Sequence, residues 1–200
     1  MNKYLSQRNI GGIKKIYEKS LIMPKEKSKP QFFVCPIGLI GAGKTTILKP
    51  LSQRLSLLRI TTDDIRKILK KRGYDFKAAT EIAFDTIRKY AKQGYSIAID
   101  ADCARSAKRK RIKKLAEEVG AKIIWIHINP SEEYIVNKLK NFKHTWLFKD
   151  ADDAIKNYFV RKPLHKNIKI KFLYTFDPSQ PNVKKQISEA VFLIRAELKK

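Results

Sequence analysis

Eight consecutive residues, Gly38-Leu-Ile-Gly-Ala-Gly-Lys-Thr45, have the types and spacing needed to hold a phosphate. They fit the pattern G-x-x-x-x-G-K-[ST]. Gly38, Gly41 and Gly43 let successive backbone N–H groups converge on phosphate oxygens with no Cβ in the way. A helix opening near Gly43 would aim the positive end of its dipole at the same anion. Lys44 has the reach for the β- and γ-phosphates, and the Thr45 hydroxyl suits Mg²⁺. Gly38, Gly41, Ala42, Gly43, Lys44, Thr45 and Thr46 are the expected nucleotide-binding set.

Two groups of acids can complete phosphoryl chemistry. Thr61-Thr62-Asp63-Asp64-Ile65-Arg66 follows a second predicted strand, and Asp100-Ala101-Asp102 follows a third. Ligands of parallel sheets sit at the carboxyl ends of strands. A carboxylate at the first position can take a proton from a substrate hydroxyl. Asp100 closes an apolar strand in the Walker B manner and suits a water on Mg²⁺ or a bridge to the loop. Asp63 and Asp64 also suit the N-terminal turn of a helix. Ala101 stands where hydrolytic motors usually carry a water-activating Glu. Asn137-Lys138-Leu139-Lys140 lacks the Asp of the guanine-specific Asn-Lys-x-Asp motif. A motor and a GTPase switch are therefore poorly supported, and transfer to a hydroxyl is better supported.

The elements that must position these residues alternate. Strand 31–37 leads to helix 43–56, strand 57–61 to helix 63–72, and helix 76–92 to strand 96–100. Helix 105–119 stops at Gly120, strand 122–128 follows, and helix 131–140 comes after Asn129-Pro130. A polar stretch runs to about residue 166, before a last strand at 168–176 and a last helix at 182–198. Such alternation implies a parallel sheet covered on both faces. Residues 1–30 are basic, carry a weak amphipathic stretch at Ile13, Ile16, Tyr17 and Leu21, and end in a Pro- and Lys-rich linker. They read as an arm outside the core.

The 200 residues suit one domain. No apolar run reaches the length of a membrane span, and the N-terminus lacks a signal-peptide pattern. Two cysteines, Cys35 and Cys103, give neither a disulfide framework nor a zinc site, so a cytoplasmic setting is expected. The net charge of +25 suits a polyanion such as RNA or DNA, although an even spread of lysine is also explained by solvated surface. The basic run Arg105–Lys114 spreads around its helix in the same way. Trp125 and His127 read as packed strand residues, whereas Trp146 and Phe148, near His144, are better placed to touch a base or a partner.

From about Phe33 to Pro163 the chain resembles the small P-loop kinases that include bacteriophage-type polynucleotide kinases and their AAA-labelled relatives. The resemblance rests on Gly38–Thr46, on Asp63-Asp64-Ile65-Arg66, on Asp100-Ala101 with Arg109 downstream, and on Gly120 before a strand ending in Asn129-Pro130. It implies that Asp63 is the general base, that Arg66 contacts the acceptor, often its phosphate, and that Arg109 binds substrate at the second loop. The family often reads Asp-Ala-Thr-Asn where this chain has Asp100-Ala101-Asp102-Cys103, so Asp102 marks an altered acceptor side. Lys138, Lys140 and Asn141 replace the usual lid arginines, which leaves Arg161 as the substitute lid cation.

The expected architecture is a three-layer α/β P-loop NTPase, with a parallel five-stranded sheet, helices on both faces and a helical lid at about 141–166. The expected cofactors are ATP and Mg²⁺, with Thr45 and Asp100 at the metal and Lys44, Asp63 and Arg161 catalytic. The expected reaction is γ-phosphoryl transfer to a hydroxyl, with a polynucleotide 5′-hydroxyl as first choice. The alternatives are a small-molecule or toxin-like kinase, or an ATP-binding module with slow hydrolysis and no acceptor.

Overall fold

The computed structural model describes residues 7–141, 147–166 and 168–200. Five parallel strands form one sheet: β1 (Phe32–Ile37), β2 (Leu58–Thr61), β3 (Ile97–Asp100), β4 (Lys122–Ile128) and β5 (Tyr174–Phe176), in the order β2-β3-β1-β4-β5. The central strand β1 is buried along its whole length, as both faces of a covered parallel sheet require. Its alternating side chains divide the core. Phe33, Cys35 and Ile37 face one apolar cluster, and Phe32 and Val34 face the other.

The first face is covered by α1 (Gln7–Lys19), α3 (Thr62–Lys71), α4 (Ala79–Lys92) and α5 (Ser106–Val119). The second is covered by α2 (Lys44–Arg54), α6 (Glu132–Lys140), α7 (Ala151–Arg161) and α8 (Val183–Leu198). Local chemistry sets the helix ends. Thr61 caps α3, Ser131 caps α6 by accepting Tyr134 N–H at 3.2 Å, and Gly120 closes α5 at φ 66°. This is the expected three-layer arrangement.

Three expectations are corrected. Residues 1–30 are not wholly an arm: α1 packs on the sheet's first face, with Ile13 and Tyr17 buried in its core. Its apolar residues recur at helical spacing, and burying that stripe outweighs the surrounding lysines. The stretch after α6 carries the expected lid helix, α7, capped by Asp150, whose side chain accepts Asp153 N–H at 2.9 Å, and a 3-10 turn at Lys162–His165. Ala154 and Tyr158, one helical turn apart, bury its inner face, and Phe148 packs into the same core rather than facing a partner. Trp146 and His144 lie outside the described residues. The last strand shrinks to Tyr174–Phe176 because Ile168, Ile170 and Phe172 pack across the first face before Leu173 N–H reaches Trp125 O. His127 stacks on Phe172, ring centroids 4.7 Å apart. No described helix is long and apolar enough to cross a membrane.

Candidate active site

The sheet register aligns the chemical residues. Thr61 pairs with Asp100 across β2 and β3, and β1 ends at Ile37, immediately before the loop. That loop curls over the sheet's carboxyl edge into α2, whose first turn leaves its N–H groups without intrahelical partners. Gly43 is the N-cap of α2 at φ 92°, a left-handed conformation that disfavours any residue with a Cβ. A Cβ on Gly38 would lie 2.8 Å from Ile128 O, so a side chain there would force β1 and β4 apart. Ala42 is buried, and its N–H is donated to Leu39 O at 3.2 Å, so the loop's own turn uses it.

Lys44 bends back across the loop and donates from Nζ to Gly38 O and Leu39 O, both at 2.8 Å. Burial lowers its pKa, opposed by the charges of Asp102, Asp100 and Asp63. Three acids from two loops thus share one ammonium. The Thr45 hydroxyl donates to Asp100 Oδ1 at 3.2 Å, joining the phosphate loop to the end of β3. Thr46, next along, is exposed. Asp100 is 4% exposed, and burial raises its pKa against the pull of Arg59, which donates to Asp100 Oδ2. Arg59 also reaches Asp64 at 3.8 Å.

On the neighbouring turn Asp63 opens α3. Its N–H bonds to Thr61 Oγ1 at 3.2 Å, and Arg66 Nη1 donates to its Oδ1 at 2.8 Å. The Asp63 side chain is 45% exposed, facing solvent rather than core. Asp102 joins three segments: its Oδ1 accepts Gly38 N–H at 3.4 Å and Ala104 N–H at 3.2 Å, while its Oδ2 lies 3.2 Å from His165 Nε2. Burial works to raise its pKa, yet the His165 hydrogen bond and the Lys44 charge hold it below the usual carboxylate range. Arg109, in the first turns of α5, donates back to Ala104 O in the loop before that helix.

The lid arrives from the other face. Tyr158 donates to Glu132 Oε2 at 2.9 Å and Lys162 pairs with the same carboxylate, tying α7 to α6. Lys138 Nζ stands 3.8 Å from the Cβ position of Gly43, over the phosphate loop. Arg161 ends α7 exposed, with no ion pair among the described residues. Lys44, Thr45, Asp63, Arg66, Asp100 and Asp102 therefore cluster at one edge of the sheet, while Arg109 and Arg161 stand apart from those contacts.

Sequence reasoning passed over Arg59, His165 and Tyr17. An arginine between Leu58 and Ile60 in an apolar strand is a signal, because a charge in such a place needs a partner. Nothing in the sequence links His165 to Asp102. Tyr17 had only its helical spacing.

The glycine cradle, the Lys44 ammonium and the Thr45–Asp100 pair fit a nucleoside triphosphate with a divalent cation. Solved structures with this fold include a gluconokinase from Sinorhizobium meliloti, 14% identical over 85% of this chain and 94% of that one, TM-score 0.57. The APS kinase CysC of Mycobacterium tuberculosis, in complex with AMPPNP and APS, is 12% identical over 82% and 98%, TM-score 0.55. A structure from the PezAT toxin-antitoxin system of Streptococcus pneumoniae is 16% identical over 98% of both chains, TM-score 0.60, and so takes in α1. No curated protein matches the sequence. A family model described as an AAA domain matches residues 34–145, from β1 through the phosphate loop and both acidic turns to the end of α6 and just beyond. The chain belongs to that AAA domain family and has its P-loop, kinase-like fold.

Proposed function

We propose that this protein is an ATP-dependent kinase that transfers the γ-phosphoryl group to a hydroxyl. The observation that carries the reading is the junction of the phosphate loop with the end of β3, where the Thr45 hydroxyl donates to Asp100 and the Gly38 N–H to Asp102. When bound, Mg·ATP supplies the transferable phosphoryl group and the divalent charge that neutralises its oxygens. Lys44 exchanges its bonds to Gly38 O and Leu39 O for phosphate oxygens. Thr45 and Asp100 would hold the cation. Asp63 accepts the proton of the acceptor hydroxyl as that oxygen bonds to phosphorus and the bond to ADP breaks. Arg66 donates to the Asp63 carboxylate and offers its remaining N–H donors to an anionic group on the acceptor. Lys138, whose Nζ stands over the phosphate loop, serves as a lid cation, with Arg161 at the end of α7 as the second.

The acceptor favoured here is a small hydroxyl compound bearing an anionic group. His165 brings the lid to within 3.2 Å of Asp102, which suits a covered cleft. The solved structures that share this fold include a gluconokinase and an APS kinase. The second reading, a polynucleotide 5′-hydroxyl, is favoured by the net charge of +25.

Labelled γ-phosphate decides among them across a panel of sugars, sugar acids, nucleosides, sugar nucleotides and 5′-hydroxyl oligonucleotides. Label on small acceptors supports the first reading. Label on oligonucleotides that survives moderate salt supports the second. Label recovered only as free phosphate would leave an ATP-binding module with slow hydrolysis.

A further inference from the structure

Helix α1 lies outside residues 34–145, yet its Tyr17 hydroxyl reaches the turn that opens α3. Tyr17 is 1% exposed, and its phenol oxygen accepts the Thr61 N–H at 2.9 Å. That N–H is an orphan of topology. β2 is an edge strand, and because Leu58 N–H points to Ser96 O on the β3 side, the Thr61 N–H points outward. Thr61 Oγ1 in turn caps Asp63 N–H at 3.2 Å. Two hydrogen bonds therefore link the amino-terminal helix to the residue that serves as the base. The rest of α1 is braced against the core on either side of Tyr17. Ile13 is buried in the same cluster, and Glu18 pairs with Lys89 of α4 at 2.7 Å. The Asp63 carboxylate itself is half in solvent and pairs with Arg66 of its own helix, so its aim depends on the turn beneath it.

We propose that Tyr17 is a positioning residue for phosphoryl transfer, holding the Thr61 N–H so that the α3 turn presents Asp63 to the acceptor hydroxyl. This inference rests on the kinase reading. Deleting the phenol oxygen leaves the ring in its packing and frees the edge N–H, which lets the turn drift. Displacements near 1 Å cost up to about 100-fold in rate at such sites.

The test is Tyr17→Phe in the full chain, with the acceptor found for the wild type. The expected result, assayed well below the melting transition, is a kcat lower by about tenfold or more with a KM for Mg·ATP within about twofold of wild type. A purely structural Tyr17 would lower the melting temperature and leave kcat of the folded protein unchanged, and that outcome overturns the proposal. So does an equal loss of ATP and acceptor use. A measurement on the wild type needs no variant: the Thr61 amide should exchange as slowly as those of β1 despite its edge position, and rapid exchange overturns the contact. A wild type that transfers phosphate to nothing defeats the kinase reading and this proposal with it. An active wild type matched by Tyr17→Phe defeats the proposal alone.

Discussion

The two sides of the proposed active site, one for phosphate and one for the acceptor, are built on different plans. The phosphate side comes from one stretch, Gly38–Thr46, and uses backbone N–H groups, glycine conformations and a helix terminus. The acceptor side uses side chains brought from distant segments: Asp63 and Arg66 on α3, Asp102 after β3, His165 from the lid and Tyr17 from α1. Thr45–Asp100 is the seam between them. A backbone site is specified locally and tolerates change elsewhere, whereas a side-chain site depends on the packing of every element that contributes to it. The two sides should therefore fail separately.

Apart from the base itself, the largest effect is expected on the phosphate side. Lys44→Ala should lower transfer by about 10³-fold in the folded protein, the scale of losing one preorganised transition-state donor. Retained transfer would place the phosphate elsewhere.

Next comes the seam. Arg59→Ala leaves the Asp100 carboxylate buried and without its guanidinium, which should cost about 3 kcal/mol of stability in urea unfolding. Adding Asp100→Asn should recover much of that loss, because the uncompensated charge is gone. Additive losses would show that the two residues act independently. Arg66→Ala then tests the acceptor side. It should cut kcat/KM for the acceptor by about 10- to 100-fold while the ATP-induced rise in melting temperature stays unchanged. Equal losses would move Arg66 to the nucleotide side.

The smallest effect lies away from both. Arg111 grips Glu81 at 2.6 and 2.7 Å and stacks over Phe84, holding the Glu81 carboxyl below its ordinary value. That stability is present above the ordinary glutamate range and lost as pH falls through the lowered value. The pair is largely exposed, so Glu81→Gln should change stability by less than about 1 kcal/mol and transfer not at all.

The same contrast explains what the sequence disclosed. Strand–helix alternation and the glycine spacing are local signals, so the sheet, its five strands and the loop were legible from periodicity and motif. The acids at Asp63 and Asp100 were legible because strand ends are legible. The partners were not. His165 meets Asp102, and Tyr17 meets Thr61, only through tertiary packing that no spacing encodes. A helical lid was expected over 141–166, but the bounds of α7 were not, although the Asp150–Asp153 cap and the Ala154–Tyr158 spacing mark them. The amino-terminal helix was misjudged because its lysines hid a short apolar stripe.

One residue separates the two sides most directly. Asp63 is 45% exposed at the head of α3, so replacing it by Asn keeps the cap, the shape and the phosphate loop. The rate of γ-phosphoryl transfer by Asp63→Asn at saturating Mg·ATP should fall by about 10²- to 10⁴-fold, the range for a lost general base, with the KM for ATP unchanged. Transfer at the wild-type rate would contradict the account, because the acceptor proton would then have to go elsewhere.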